Sequence, residues 1–156
     1  MNDKQIQAIV EQVINNVKPG NVTLSMAKKL AEKVEKEADR IGVKAVVAIA
    51  DKGGNTILAE SMDDAYIASY DIAVNKAFTS VALKMSTKTL KDLAQPGQSL
   101  YGIQFTNNGR IVIFGGGVPL MHGECVVGGF GVSGGTEEED TYLGDFAAHV
   151  FEEEIL

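Results

Sequence analysis

Apolar residues in the opening stretch DKQIQAIVEQVINNV recur as Ile6, Ile9, Val10, Val13, Ile14 and Val17, the i, i+3, i+4, i+7 spacing of one helical face. Pro19-Gly20 predicts its end. Burial of each such side chain is worth roughly 1.5–3 kcal/mol, so the stripe is expected to find a surface on its own domain or on a second subunit. Thr23 is the expected N-cap of a second helix, with Ala27, Leu30, Ala31, Val34, Ala38 and Ile41 on its apolar face and Gly42 as its stop.

KAVVAIA and TILAES, separated by DKGGN, predict a β-hairpin. AYIASYDIAVNKAFTSVALKM returns to helical spacing, with Ile67, Tyr70, Val74, Ala77, Phe78, Val81 and Met85 close to one face. Asp63 and Asp64 fall just before it, where carboxylates suit the positive end of a helix better than they suit a metal pair. TKTLKDLA predicts a short helical turn that stops at Pro96-Gly97. RIVIF, VPLM and ECVVGGFGV then read as the remaining strands, with a turn at His122-Gly123. Thr136 and Glu139 form a T-x-x-E capping box, so a last helix is expected from Glu137, burying Leu143, Phe146, Ala147 and Val150. With no regular strand-helix alternation, the order predicts an α+β domain with an antiparallel sheet.

At 156 residues the chain is expected to be one domain, 1–156, with the amphipathic helix over 1–20 and the core over 21–156. A formal charge of -7 argues against nucleic acid and anionic lipid. The basic face of a membrane-surface helix is missing from the first segment, and no window has the roughly 18 apolar residues of a membrane span. A soluble, cytoplasmic protein is expected. Cys125, in ECVVGGF, is expected to be a small buried thiol.

GGFGVSGG fits two functional patterns. Gly129, Gly131 and Gly134 match G-x-G-x-x-G, but a dinucleotide fold needs a following strand with an acidic residue about 20 positions on, and here only a helix follows. Gly131-Val-Ser133-Gly-Gly135 matches the G-x-S-x-G elbow, yet His149 would lie some four turns along a helix from Ser133, beyond reach of a general base. A steric reason remains. Nine of the seventeen glycines fall between Gly115 and Gly135, and glycine within strands weakens them unless a backbone, ligand or subunit approaches closely or the chain bends.

DKGGNTILAESMDDA, NKAFTSVALKMSTKTL, GGGVPL and VVGGFGVSGGTEEED together resemble the GlcG / HbpS / PduO C-terminal family of small bacterial haem- or tetrapyrrole-associated domains. The resemblance runs from Thr23 to the final helix. It implies a profilin-like α/β/α sandwich with a five-stranded antiparallel sheet flanked by helices, and homo-oligomers from dimer to octamer. It also implies a place in glycolate, propanediol or glycerol metabolism, and a haem or corrinoid ligand. By position it implies a pocket of Met62, Asp63, Lys76, Thr79, Gly116, Gly117 and Ser133, with Lys76, otherwise a solvated cation, as an anchor for a propionate or carboxylate. Haem-binding relatives carry a proposed axial histidine in the N-terminal half, whereas this chain has none before His122. Three functions follow as expectations: a tetrapyrrole-handling accessory protein, an enzyme acting on haem, corrinoid or a small organic acid, or a structural oligomer. No paired acid and base at useful spacing favours the enzyme, and no catalytic or metal-ligating residue is assigned.

Overall fold

The chain runs α1 (Asp3–Asn16), α2 (Leu24–Arg40), β1 (Val46–Asp51), β2 (Thr56–Ser61), α3 (Ile67–Leu83), α4 (Thr87–Leu93), β3 (Gly117–His122), β4 (Cys125–Ser133) and α5 (Glu137–Val150). This is a computed structural model, describing residues 2–16 and 20–156. The strands pair antiparallel in the order β2-β1-β4-β3. The sheet therefore has four strands instead of the expected five. RIVIF, expected as a strand, lies outside the sheet. Its backbone is held by α3 instead, because the Thr79 hydroxyl accepts the Val112 N–H at 3.0 Å.

Strand alternation sorts the core into two layers. Val47 and Ile49 of β1 and Phe130 and Val132 of β4 pack with Leu30, Val34, Leu143 and Ala147 of α2 and α5. Val46, Ala48 and Ala50 face the other way, onto Ala73, Ala77 and Val81 of α3. The result is an antiparallel sheet between helices. Both expected helix starts form as read: Thr23 caps α2 by accepting the Met26 N–H, and Thr136 and Glu139 make the reciprocal box of α5. Pro119 sits on the edge strand β3, where a missing N–H costs least.

The face that α3 buries differs from the one its large residues predict. Ile67 is 98% exposed and Tyr70 51%, whereas Ser69, Ala73, Lys76, Ala77 and Ser80 are buried. The partner surface explains the choice. A Cβ on Gly129 would lie 2.6 Å from Ser80 Oγ, and one on Gly131 would lie 2.6 Å from Ala77 N and closer still to the Ala73 carbonyl. A Cβ on Gly117 would likewise lie 2.7 Å from the Lys76 carbonyl oxygen. Small residues on the helix meet bare backbone on the strand. The glycine ribbon is therefore a seat for α3.

One further expectation is narrowed and another is corrected. Ile6, Ile9, Val10 and Val13 of α1 remain 44–58% exposed, so this part of the stripe finds no surface on its own domain among the described residues, which leaves a second subunit as the expected one. The Ile14 side chain, Val17 and Pro19 fall outside those residues. Cys125 is exposed. It faces His122 across the two-residue turn Gly123-Glu124, a hairpin tip that lies beyond the packed layers.

Gly131→Ala is expected to lower stability by at least about 1–3 kcal/mol, since the added methyl meets main chain that cannot rotate away. Gly20→Ala, with nothing within 4 Å, should stay within about 0.5 kcal/mol. Urea unfolding of the two variants checks the difference.

Candidate functional site

Where β4 ends and α3 and α5 begin, a cavity of about 310 Å³ is lined by Tyr66, Ala68, Ser69, Ile72, Phe114, Ser133, Gly134, Gly135, Glu137 and Asp140. Its position follows from the packing just described. Ser133 is the last strand residue on the side facing α3, so its hydroxyl meets Ser69 in the first turn of that helix, donating at 3.0 Å. Asp140, in the first turn of α5, receives the Gly135 N–H on one oxygen at 2.9 Å. Its other oxygen receives Lys76 Nζ at 2.8 Å.

Lys76 is fully buried. Its ammonium donates also to the Val132 carbonyl at 2.7 Å and stands 5.0 Å from the centre of the Phe114 ring. It is thus not the solvated cation that helical position alone predicts. Burial pushes the Lys76 ammonium below its ordinary range and the Asp140 carboxyl above its own, while each partner's charge and hydrogen bond pull the other way. A buried, hydrogen-bonded pair of this kind ties α3, β4 and α5 together at one point. Glu137, beside it, pairs with Lys91 at 2.5 Å and is held below the usual carboxylate range by that lysine.

The residues expected to form one pocket are dispersed. Ser133 lines the cavity, while Lys76 and Gly116 lie directly behind it: a Cβ on Gly116, at φ 115°, would sit 2.7 Å from Lys76 Nζ. Thr79 and Gly117 are held within the packing. The Thr79 hydroxyl donates to the Asn75 carbonyl at 2.7 Å, and the Gly117 N–H donates to Thr87 at 2.8 Å. Met62 and Asp63 line a different cavity, about 600 Å³, with Glu35, Lys44, Glu60 and Ser61. Gly134, which lines the first cavity, packs against Lys44-Ala45, and Lys44 lines the second. The Met62 sulfur accepts the Ala45 N–H at 3.4 Å.

Sequence reasoning missed Ser69, Asp140, Phe114 and the Glu35–Glu60 pair. Asp140 carried one signal, its place in a first turn of four acids; that it alone of the four is buried is a tertiary fact. The other three owe their roles to tertiary approach. Glu35 is pushed up to about 7, first by burial, then by sharing a proton with Glu60, then by the charges of Glu60 and Glu32. Neither histidine reaches Ser133's cavity, and among the described residues no group of three His, Cys, Asp or Glu side chains could hold a metal ion. No helix among them is long and apolar enough to cross a membrane.

The fold and site define a small α/β domain with a buried ion pair beneath a surface cavity. Residues 22–148 match the family described as haem degrading protein HbpS-like, and the chain belongs to that family. It is 49% identical over 132 residues to a 15.0 kDa protein in the dhaT-dhaS intergenic region of Citrobacter freundii, covering 85% of this chain and 93% of that one. It is 38% identical over 112 residues to the corrinoid adenosyltransferase PduO of Salmonella typhimurium, covering 72% of this chain and 33% of that longer protein. Among solved structures, Klebsiella pneumoniae ORFY superposes with a TM-score of 0.83 at 46% identity, covering 86% of this chain and 92% of that one. A PduOC:heme complex superposes with a TM-score of 0.79 at 34% identity, covering 83% and 94%.

Two measurements probe the site. Asp140→Ala leaves a buried ammonium without its counter-charge and is expected to cost about 3–5 kcal/mol, whereas Lys76→Met with Asp140→Leu should recover most of that in urea unfolding. Glu35 keeps its proton in the folded state to about pH 7 but loses it near its ordinary value of 4.5 when unfolded. The folded state therefore binds more protons in that window, and stability should fall as pH rises from about 4.5 to about 7. Melting curves across this range should flatten for Glu35→Gln.

Proposed function

We propose that the chain is a non-enzymatic binding module that handles a tetrapyrrole, haem or corrinoid, as an oligomeric accessory protein of a bacterial diol, glycerol or glycolate utilisation pathway. Kinship with PduO, and with a domain crystallised as a heme complex, supports the ligand class. The observation that carries the reading is an apolar face around the Ser133 cavity. Tyr66 and Phe114 line the cavity, Ile67 follows Tyr66, and Tyr70 lies one helical turn on; all four side chains are exposed. A domain with room to bury such groups leaves them in water when a ligand or partner covers them.

The residues fit the ring of a macrocycle better than its metal. Aromatic and branched side chains offer a flat apolar surface, while the cavity's two carboxylates are already paired with Lys76 and Lys91 and no His, Cys or Met lines it. Binding in this reading rests on contact with the ring face, with Ser133 at its polar edge. When bound, a tetrapyrrole would supply its own metal chemistry; the protein's part is to hold the ring and exclude water from one side. The enzymatic alternative lacks support among the described residues, because Ser133 bonds to Ser69 and not to a base.

Haemin and cobalamin titrations followed by absorbance test the proposal. A saturable change in the spectrum is expected with at least one of them, weakened at least tenfold by Tyr66→Ala together with Phe114→Ala. An unchanged spectrum with both ligands in excess would overturn it.

A further inference from the structure

The cavity beneath that apolar face has a chemistry of its own. Ser69 and Ser133 are 4% and 5% exposed, so their hydroxyls are almost wholly withdrawn from water. Each hydroxyl carries one proton and two lone pairs. Only one of the two protons is used in the bond between them, and the other has no acceptor among the described residues. Both serines line the cavity. The acceptor for this unused donor comes from whatever enters the cavity, water or a ligand that displaces it.

The walls narrow the class of visitor. Tyr66, Ile72 and Phe114 present C–H and aromatic surface. Tyr66 caps α3 without any side-chain hydrogen bond, so the helix start at Ala68 adds a positive end and prefers an oxygen acceptor, the Ser69 N–H being already bonded to the Tyr66 carbonyl at 3.0 Å. Across the cavity stand Asp140 and Glu137, which disfavour an anion, and each is neutralised by its own lysine, which removes the attraction for a cation. Lys76 is enclosed behind Asp140 and does not line the space. A cavity of about 310 Å³ is at the small end of ligand sites.

We infer that this cavity is a site for a small neutral hydroxylated ligand, a short polyol or sugar-like alcohol, whose oxygens meet the Ser69–Ser133 hydroxyls and whose carbon face rests on Tyr66, Ile72 and Phe114. The site shares Tyr66, Phe114 and Ser133 with the surface proposed for a tetrapyrrole, and it rests on a separate observation, the Ser69–Ser133 hydroxyl pair. It gives the domain a means of sensing or retaining an alcohol metabolite.

The test is an amide-resolved NMR titration of the haemin-free chain with glycerol, sodium acetate and methylammonium chloride as separate probes. Saturable shifts at Ala68, Ser69, Ser133 and Gly134 are expected with glycerol, at lower concentration than with either ion. Ser133→Ala and Ser69→Ala should each weaken glycerol binding by about three- to tenfold, the worth of one hydrogen bond, while His149→Ala, on the exposed side of α5, leaves it unchanged. If Ser133→Ala fails to fold, Ser69→Ala carries the comparison. Shifts that rise linearly without saturation, an ion that outcompetes glycerol at these amides, or serine variants that bind glycerol as the wild type does would each overturn the site. Glycerol binding is read at Ser69, which the tetrapyrrole reading does not use, and without haemin or cobalamin present, so each proposal can fail while the other stands.

Discussion

The contact between the backbone of α3 and the bare ribbon of β4 governs the rest of the molecule. Main chain can approach main chain this closely only where neither side carries a side chain in between, and Gly129 and Gly131 on the strand match Ala73, Ala77 and Ser80 on the helix. The energy of such a contact lies in dense dispersion packing over many small atoms. It has a geometric consequence as well. A helix seated on its small residues must turn its large ones outward, which is why Tyr66, Ile67 and Tyr70 stand in water beside the cavity.

The same seat brings Lys76 to the inside. Its position on the buried side of α3 leaves a long cationic side chain no path to solvent, and the Asp140 carboxylate and Val132 carbonyl take up the charge. Such a pair contributes little net stability against an apolar replacement, yet removing one member is costly. Its structural effect is registration: the start of α5 is held over the end of β4, with Gly116 and Gly135 drawn close around the pair. The cavity is what remains between these fixed parts, an arrangement that builds a site on helix starts and a strand end and not on long loops.

Charge is organised differently at the neighbouring acidic cavity. There burial and the neighbouring Glu60 push Glu35 up to about 7. The Met62 and Asp63 turn closes this second space, while Lys44, which also lines it, is bound to Asp39. The two cavities differ in the state of their carboxylates. In one they are paired with lysines, and in the other Glu35 keeps its proton up to about pH 7.

Local signals decided much of this protein from the sequence alone: the Thr23 cap, the Thr136–Glu139 box, the β1–β2 hairpin and the buried stripe of α2 all depend on residues within a few positions of one another. The family resemblance was legible in the same way, through short motifs in order. The glycine run also announced a close approach, but not by what. Tertiary structure settled that the approaching body is α3, that its small face is the inner one, that RIVIF is held by Thr79 outside a four-stranded sheet, and that Lys76 is paired and enclosed. The reason is the range of the forces involved. Periodicity and capping are written in neighbouring residues, whereas Lys76 and Asp140 are 64 positions apart, and no local pattern states which surfaces of a folded chain will touch.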